Sequence, residues 1–115
     1  MDKRRHPRMA VDRLTVDLSD GRGFFAGTVR DLSRFGLMVE NIPKRVDDEA
    51  MQYSVVVSGR GQNFKMRTRP RWVAAQPLGK KIGMEIINAP WGWTEFVMQF
   101  EPREESDDIL GEIQL

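Results

Sequence analysis

Leu14, Val16 and Leu18 alternate with Thr15 and Asp17, which gives this stretch one apolar and one polar side, the period of a half-buried strand. SDGRG (19–23) then supplies the turn residues of a hairpin. Further extended segments are predicted at 24–31, 37–42, 52–58, 63–75 and 81–88, separated by PKRVDDEA, GRGQ and QPLGK, all rich in turn residues or charge. Six short strands in succession predict an all-β fold, a small antiparallel barrel or sandwich. Pro70 has no N–H to give to a ladder, so the long fifth strand is expected to bend or bulge there.

After the last strand the period changes. Trp93, Phe96, Val97 and Phe100 recur at i, i+3, i+4 and i+7, with Asn88 to cap and Pro90 for a first turn. This predicts a C-terminal helix over 89–101 whose apolar face covers one opening of the barrel. The expected organisation is a loose basic arm over 1–10, a barrel over 11–88, the helix over 89–101 and an acidic tail over 102–115.

Composition removes several function classes. A chain of 115 residues with 40% hydrophobic content suffices for one compact domain. No apolar run approaches the roughly 20 residues that span a bilayer, and no apolar stretch follows the charged start, so a soluble, cytoplasmic protein without membrane insertion is expected. There is no cysteine and His6 is the single histidine, which excludes disulfides and thiolate chemistry and leaves little for a metal site or a catalytic triad. No nucleophile and base can be assembled, so the chain is expected not to be an enzyme and to need no cofactor. The formal net charge of +1 argues against coating nucleic acid by bulk charge, and no DNA partner is expected. The ends nevertheless differ in sign: Lys3, Arg4, Arg5, Arg8 and Arg13 stand near the start, and Glu101, Glu104, Glu105, Asp107, Asp108 and Glu112 near the finish.

Two short stretches carry candidate chemistry. In DLSRFG (31–36), Asp31 and Ser33 are two apart, so on an extended chain their side chains leave one face. Gly36 supplies either a left-handed conformation or a place for close approach to the backbone. Short polar residues also cap turns, and that structural role stands beside the functional one. In RRHPR (4–8), guanidinium forks can bind phosphates bidentately and can address guanine O6 and N7, while an aspartate accepts from guanine N1 and N2. The two stretches are complementary halves of a site for a ligand with both phosphate and guanine.

With these residues in place, the sequence resembles the PilZ domains, bacterial receptors that bind cyclic di-GMP on a six-stranded antiparallel β-barrel. The RxxxR motif of that family is matched by Arg4 and Arg8, and its (D/N)xSxxG motif by Asp31, Ser33 and Gly36. A weaker similarity runs through RPRWVAAQPLGKKIGMEII (69–87), with Gly83 in the final strand. The resemblance implies a PilZ-like barrel in which Arg4 and Arg8 clamp the ligand, helped by Arg5. It further implies that Asp31 and Ser33 hydrogen-bond a guanine and that Gly36 keeps the wall low. Trp72, preceded by Arg71, stands about where some members carry a ligand-contacting aromatic; a core position for Trp72 is the other reading. The implied signal is an arm fixed by the ligand, read by an unidentified downstream protein.

Lys65, Arg67, Arg69 and Arg71 alternate with Phe64, Met66, Thr68 and Pro70, a row of positive charge that reads either as the solvated side of an edge strand or as a basic stripe. Two alternatives to the receptor therefore stay open. One is a PilZ-like protein-interaction module with weak or no nucleotide binding; the other is a small β-barrel that binds RNA.

Overall fold

In a computed structural model, residues 7–102 are described. Seven strands and one helix follow in order: β1 (Met9–Ala10), β2 (Thr15–Ser19), β3 (Phe24–Leu32), β4 (Gly36–Ile42), β5 (Tyr53–Gly59), β6 (Gln62–Gln76), β7 (Gly79–Ile86) and α1 (Trp93–Met98). Strands β2 to β7 correspond to the six expected from the sequence. Every pairing is antiparallel, and the order β2-β3-β4-β7-β6-β5 returns to β2, which closes a six-stranded barrel. β1 lies within the stretch expected as a loose arm; it is an added strand on β3, with Met9 opposite Leu32 and Ala10 opposite Asp31.

The interior is filled by the alternating positions anticipated for β2 and by their counterparts, among them Val29, Leu32, Leu37, Val39, Val55, Val57, Phe64, Met66, Ile82 and Met84. Arg60 and Gly61 both adopt positive φ, 53° and 76°, and so make the tight β5–β6 hairpin turn. α1 is shorter than expected. Gly92, in a left-handed conformation, stands at its N-cap rather than Asn88. Its apolar face is the anticipated one: Trp93, Phe96 and Val97 are buried, and Phe100 packs beside them. The segment closes one opening between the β5–β6 turn, from which Arg60 lies 4.3 Å from the Phe100 ring centroid, and the β3–β4 turn, whose Arg34 carbonyl accepts from Trp93 Nε1 at 3.2 Å.

The Asp20 carboxylate organises the other opening by accepting from the backbone N–H groups of Arg22, Gly23 and Asp47, each at 2.8 Å. Nearby, the Tyr53 hydroxyl donates to the Asp47 carbonyl at 2.8 Å.

The edge reading of the basic row keeps a structural basis. β6 changes partner along its length, Gln62–Thr68 pairing with β5 and Thr68–Gln76 with β7, so Thr68 alone has a ladder partner on both sides. No helix among the described residues is long and apolar enough to cross a membrane.

Candidate ligand-binding site

Two β-bulges decide which side chains reach the outer wall. In β3 the register with β4 shifts between Val29 and Asp31, so two consecutive residues, Arg30 and Asp31, stand between the buried Val29 and the buried Leu32. Strict alternation from Val29 would have turned Asp31 inward; the extra residue turns it out. In β6 the register with β7 shifts between Pro70 and Trp72, the place where proline predicted a bulge. That shift turns Trp72 outward, with 42% of its surface exposed, while Val73 returns to the core side. The core reading of Trp72 is thereby corrected.

Both re-aimed residues fall on one row. Trp72 is opposite Gly83, Gly83 opposite Met38, Met38 opposite Asp31, and Asp31 opposite Ala10. Three inter-strand steps separate Trp72 from Asp31, about 14 Å. Gly83 is what lets the indole lie flat: a Cβ there would overlap Trp72, so only glycine leaves the ring room against the wall.

Arg8 reaches this row from the residue ahead of β1, donating to Asp31 Oδ1 from Nε at 3.0 Å and from Nη2 at 2.8 Å. Ser33 and Gly36 shape the turn beside it. The Ser33 N–H donates to the Gly36 carbonyl at 2.9 Å, and the Ser33 hydroxyl accepts from the Phe35 N–H at 3.3 Å. Ser33 is buried in this role, so the turn-capping reading holds for it. Gly36 serves close approach rather than a left-handed backbone, since a Cβ there would stand 3.1 Å from the Met84 carbonyl oxygen. Arg71 turns to Glu85 at 3.1 Å, and Arg69 shares the same carboxylate at 3.5 Å. Glu85 is opposite Gly36 in the ladder, so this charged cluster borders the turn. Arg4 and Arg5 lie outside the described residues.

Two further residues shape the site, of which Arg34 was not singled out from the sequence. The register makes Met38 the floor between Asp31 and Trp72. Arg34, inside DLSRFG, makes a two-pronged ion pair with Glu101, Nε to Oε2 at 2.8 Å and Nη2 to Oε1 at 2.7 Å. The hydrogen bond to Glu101 holds Arg34 charged against a smaller opposing effect of burial. Together with the Trp93 contact, it ties the motif turn to the C-terminal segment. The described residues contain no cluster of side chains suited to a metal ion.

No family model matches the sequence, and no curated protein does. The fold is nevertheless PilZ-like. The chain is similar to the Bacillus subtilis inhibitor of motility MotI/DgrA, with a TM-score of 0.70 and 12% identity over 97% of this chain and 53% of that one. It is similar to the PilZ domain of Escherichia coli YcgR, solved with c-di-GMP, with a TM-score of 0.67 and 12% identity over 97% of this chain and 100% of that one. Borreliella burgdorferi PlzA, solved in complex with c-di-GMP, matches at a TM-score of 0.60 and 15% identity over 96% of this chain and 54% of that one. The chain thus spans about half the length of the MotI and PlzA chains it matches.

Proposed function

We propose that this chain is a receptor for cyclic di-GMP. The observation that carries the reading is the outer row on which Arg8, Asp31, Met38 and Trp72 converge, on a barrel whose solved counterparts include complexes with that ligand. In this reading Asp31 accepts from guanine N1 and N2, and Arg8 moves from sharing Asp31 to binding the ligand's phosphate or guanine acceptors. The second base lies on the Trp72 indole, which Gly83 holds flat. Arg4 and Arg5 add charge from the arm, and Arg71 exchanges Glu85 for phosphate. Ser33 acts indirectly, by holding the turn that presents Asp31, and Gly36 keeps the wall low. Arm and ligand together then offer a new surface to a downstream protein.

Isothermal titration calorimetry against cyclic di-GMP, GTP and GMP, paired with amide shift mapping, tests this. Selective saturable binding of cyclic di-GMP, with shifts at Arg8, Asp31–Gly36 and Trp72, is the expected result. Absence of binding, or shifts confined to other strands, overturns it.

A further inference from the structure

The four cations of the basic row on β6 are not equivalent, and Lys65 and Arg67 stand on the half that pairs with β5. Arg69 and Arg71 share Glu85, whereas Lys65 and Arg67 make no ion pair among the described residues. Those two free cations sit in the middle of a continuous trough. One depression, of about 410 Å³, is lined by Asp17, Ser19, Phe24, Ser54, Val56 and Lys65. The other, of about 310 Å³, is lined by Ser54, Lys65, Arg67, Asn88 and Pro90. Ser54 and Lys65 belong to both.

The ladder shows how the trough is built. Phe24 is opposite Ser19, Ser19 opposite Ser54, and Ser54 opposite Arg67, so an aromatic, two hydroxyls and a guanidinium form one row across four strands. Phe24 is 83% exposed at one end. At the other, Trp91 follows Pro90 and is 97% exposed. This wall is formed by the start of β3, β2, β5 and the first half of β6, away from the Arg8–Asp31 row on the end of β3, β4, β7 and the second half of β6.

We propose that the trough binds a single-stranded polynucleotide, independently of the cyclic di-GMP site. Exposed aromatic rings at both ends with cations and hydroxyls between them suit a chain of phosphates carrying planar bases. Two features argue against peptide occupants. β2 and β5 are paired on both sides and the Arg67 carbonyl of β6 accepts from the Ile87 N–H, which leaves little open ladder for an extended peptide. Ser19, Ser54, Lys65 and Arg67 interrupt the apolar surface of Phe24 and Val56 that a helix would need. Asp17 is the single anion of the trough and limits the bound backbone to the side of Lys65 and Arg67.

Fluorescence anisotropy of a labelled 12-nucleotide oligouridylate, with oligothymidylate, a duplex of equal length and poly-glutamate as comparators, tests this. Both single strands should bind, and binding should quench tryptophan emission in the native chain but much less in Trp91→Phe. Lys65→Ala/Arg67→Ala should weaken binding at least tenfold and reduce the slope of log K against log salt by about 1.4, for two phosphates lost. The same variant should keep native circular dichroism and cyclic di-GMP affinity. Binding of poly-glutamate as tight as that of the oligonucleotides, preference for the duplex, or no change in the double variant overturns the proposal.

Discussion

Arg8 and Asp31 are joined by two hydrogen bonds that converge on one oxygen: Nε and Nη2 both donate to Oδ1. Oδ2 takes no donor among the described residues, and both side chains remain about a quarter or less exposed, at 24% and 21%. The pair thus holds the arm-side residue against the barrel while leaving an acceptor for an incoming ligand. Arg8→Ala should weaken cyclic di-GMP binding about 10- to 100-fold, the equivalent of losing charged hydrogen bonds of about 1.5–3 kcal/mol. Its cost to folding should stay under about 1 kcal/mol, because partly exposed ion pairs contribute little. Calorimetric titration and thermal melts on one preparation separate the two effects; a large fall in stability with unchanged affinity would reverse the assignment.

Gly83→Val should push the Trp72 indole off the wall. Overpacking of this kind costs about 1–3 kcal/mol of stability. Ligand affinity should fall at least as far as in Trp72→Ala, because the displaced ring obstructs the row as well as vacating it. Affinity equal to that of the native chain in both variants would remove Trp72 from the site.

Stability should decline on both sides of neutrality for identifiable reasons. Burial opposes the charge on Asp20, but N–H donations from Asp47, Arg22 and Gly23 outweigh it and hold the carboxyl below its ordinary value of 3.8. A depressed folded pKa stabilises the fold above the unfolded value, and that contribution disappears as pH falls from about 4 through the lower folded value. Burial, followed by the charges of Asp48, Asp47 and Asp20, pushes the Tyr53 hydroxyl up from 10.0 to about 12. Its contribution is fully present below pH 10 and is lost as pH rises towards 12. Urea melts of Asp20→Asn and Tyr53→Phe across pH should flatten the acid and alkaline limbs respectively.

Phe96 packs against Phe64, Trp93 and Phe100 with ring centroids 4.9, 5.8 and 5.4 Å away. Phe96→Ala should destabilise the fold by about 3–5 kcal/mol, as large core truncations do. Glu101→Gln should lower the melting temperature by less, and its difference from the native chain should shrink in 1 M salt as the Arg34 ion pair is screened. A difference that persists undiminished in salt would show that packing, rather than charge, joins the helix segment to the motif turn.

Alternation, turn residues and the change of period after residue 88 were enough to determine six strands, their approximate limits and the buried face of α1, because side-chain direction on a regular element follows from spacing alone. The helix start was misplaced because Gly92 takes a left-handed conformation that spacing does not reveal. Motif spacing likewise brought Arg8 and Asp31 into one hypothesis. Which face Asp31 and Trp72 occupy was decided only by tertiary structure. An extra residue in a strand reverses every side chain beyond it, and whether a bulge forms depends on what the partner strand can accommodate. Proline marked the bulge in β6, but nothing local marks the one in β3. Closure is equally non-local: it gave each half of β6 a different partner, placed Met38 beneath the row and laid Trp72 over Gly83, all through residues distant in the chain.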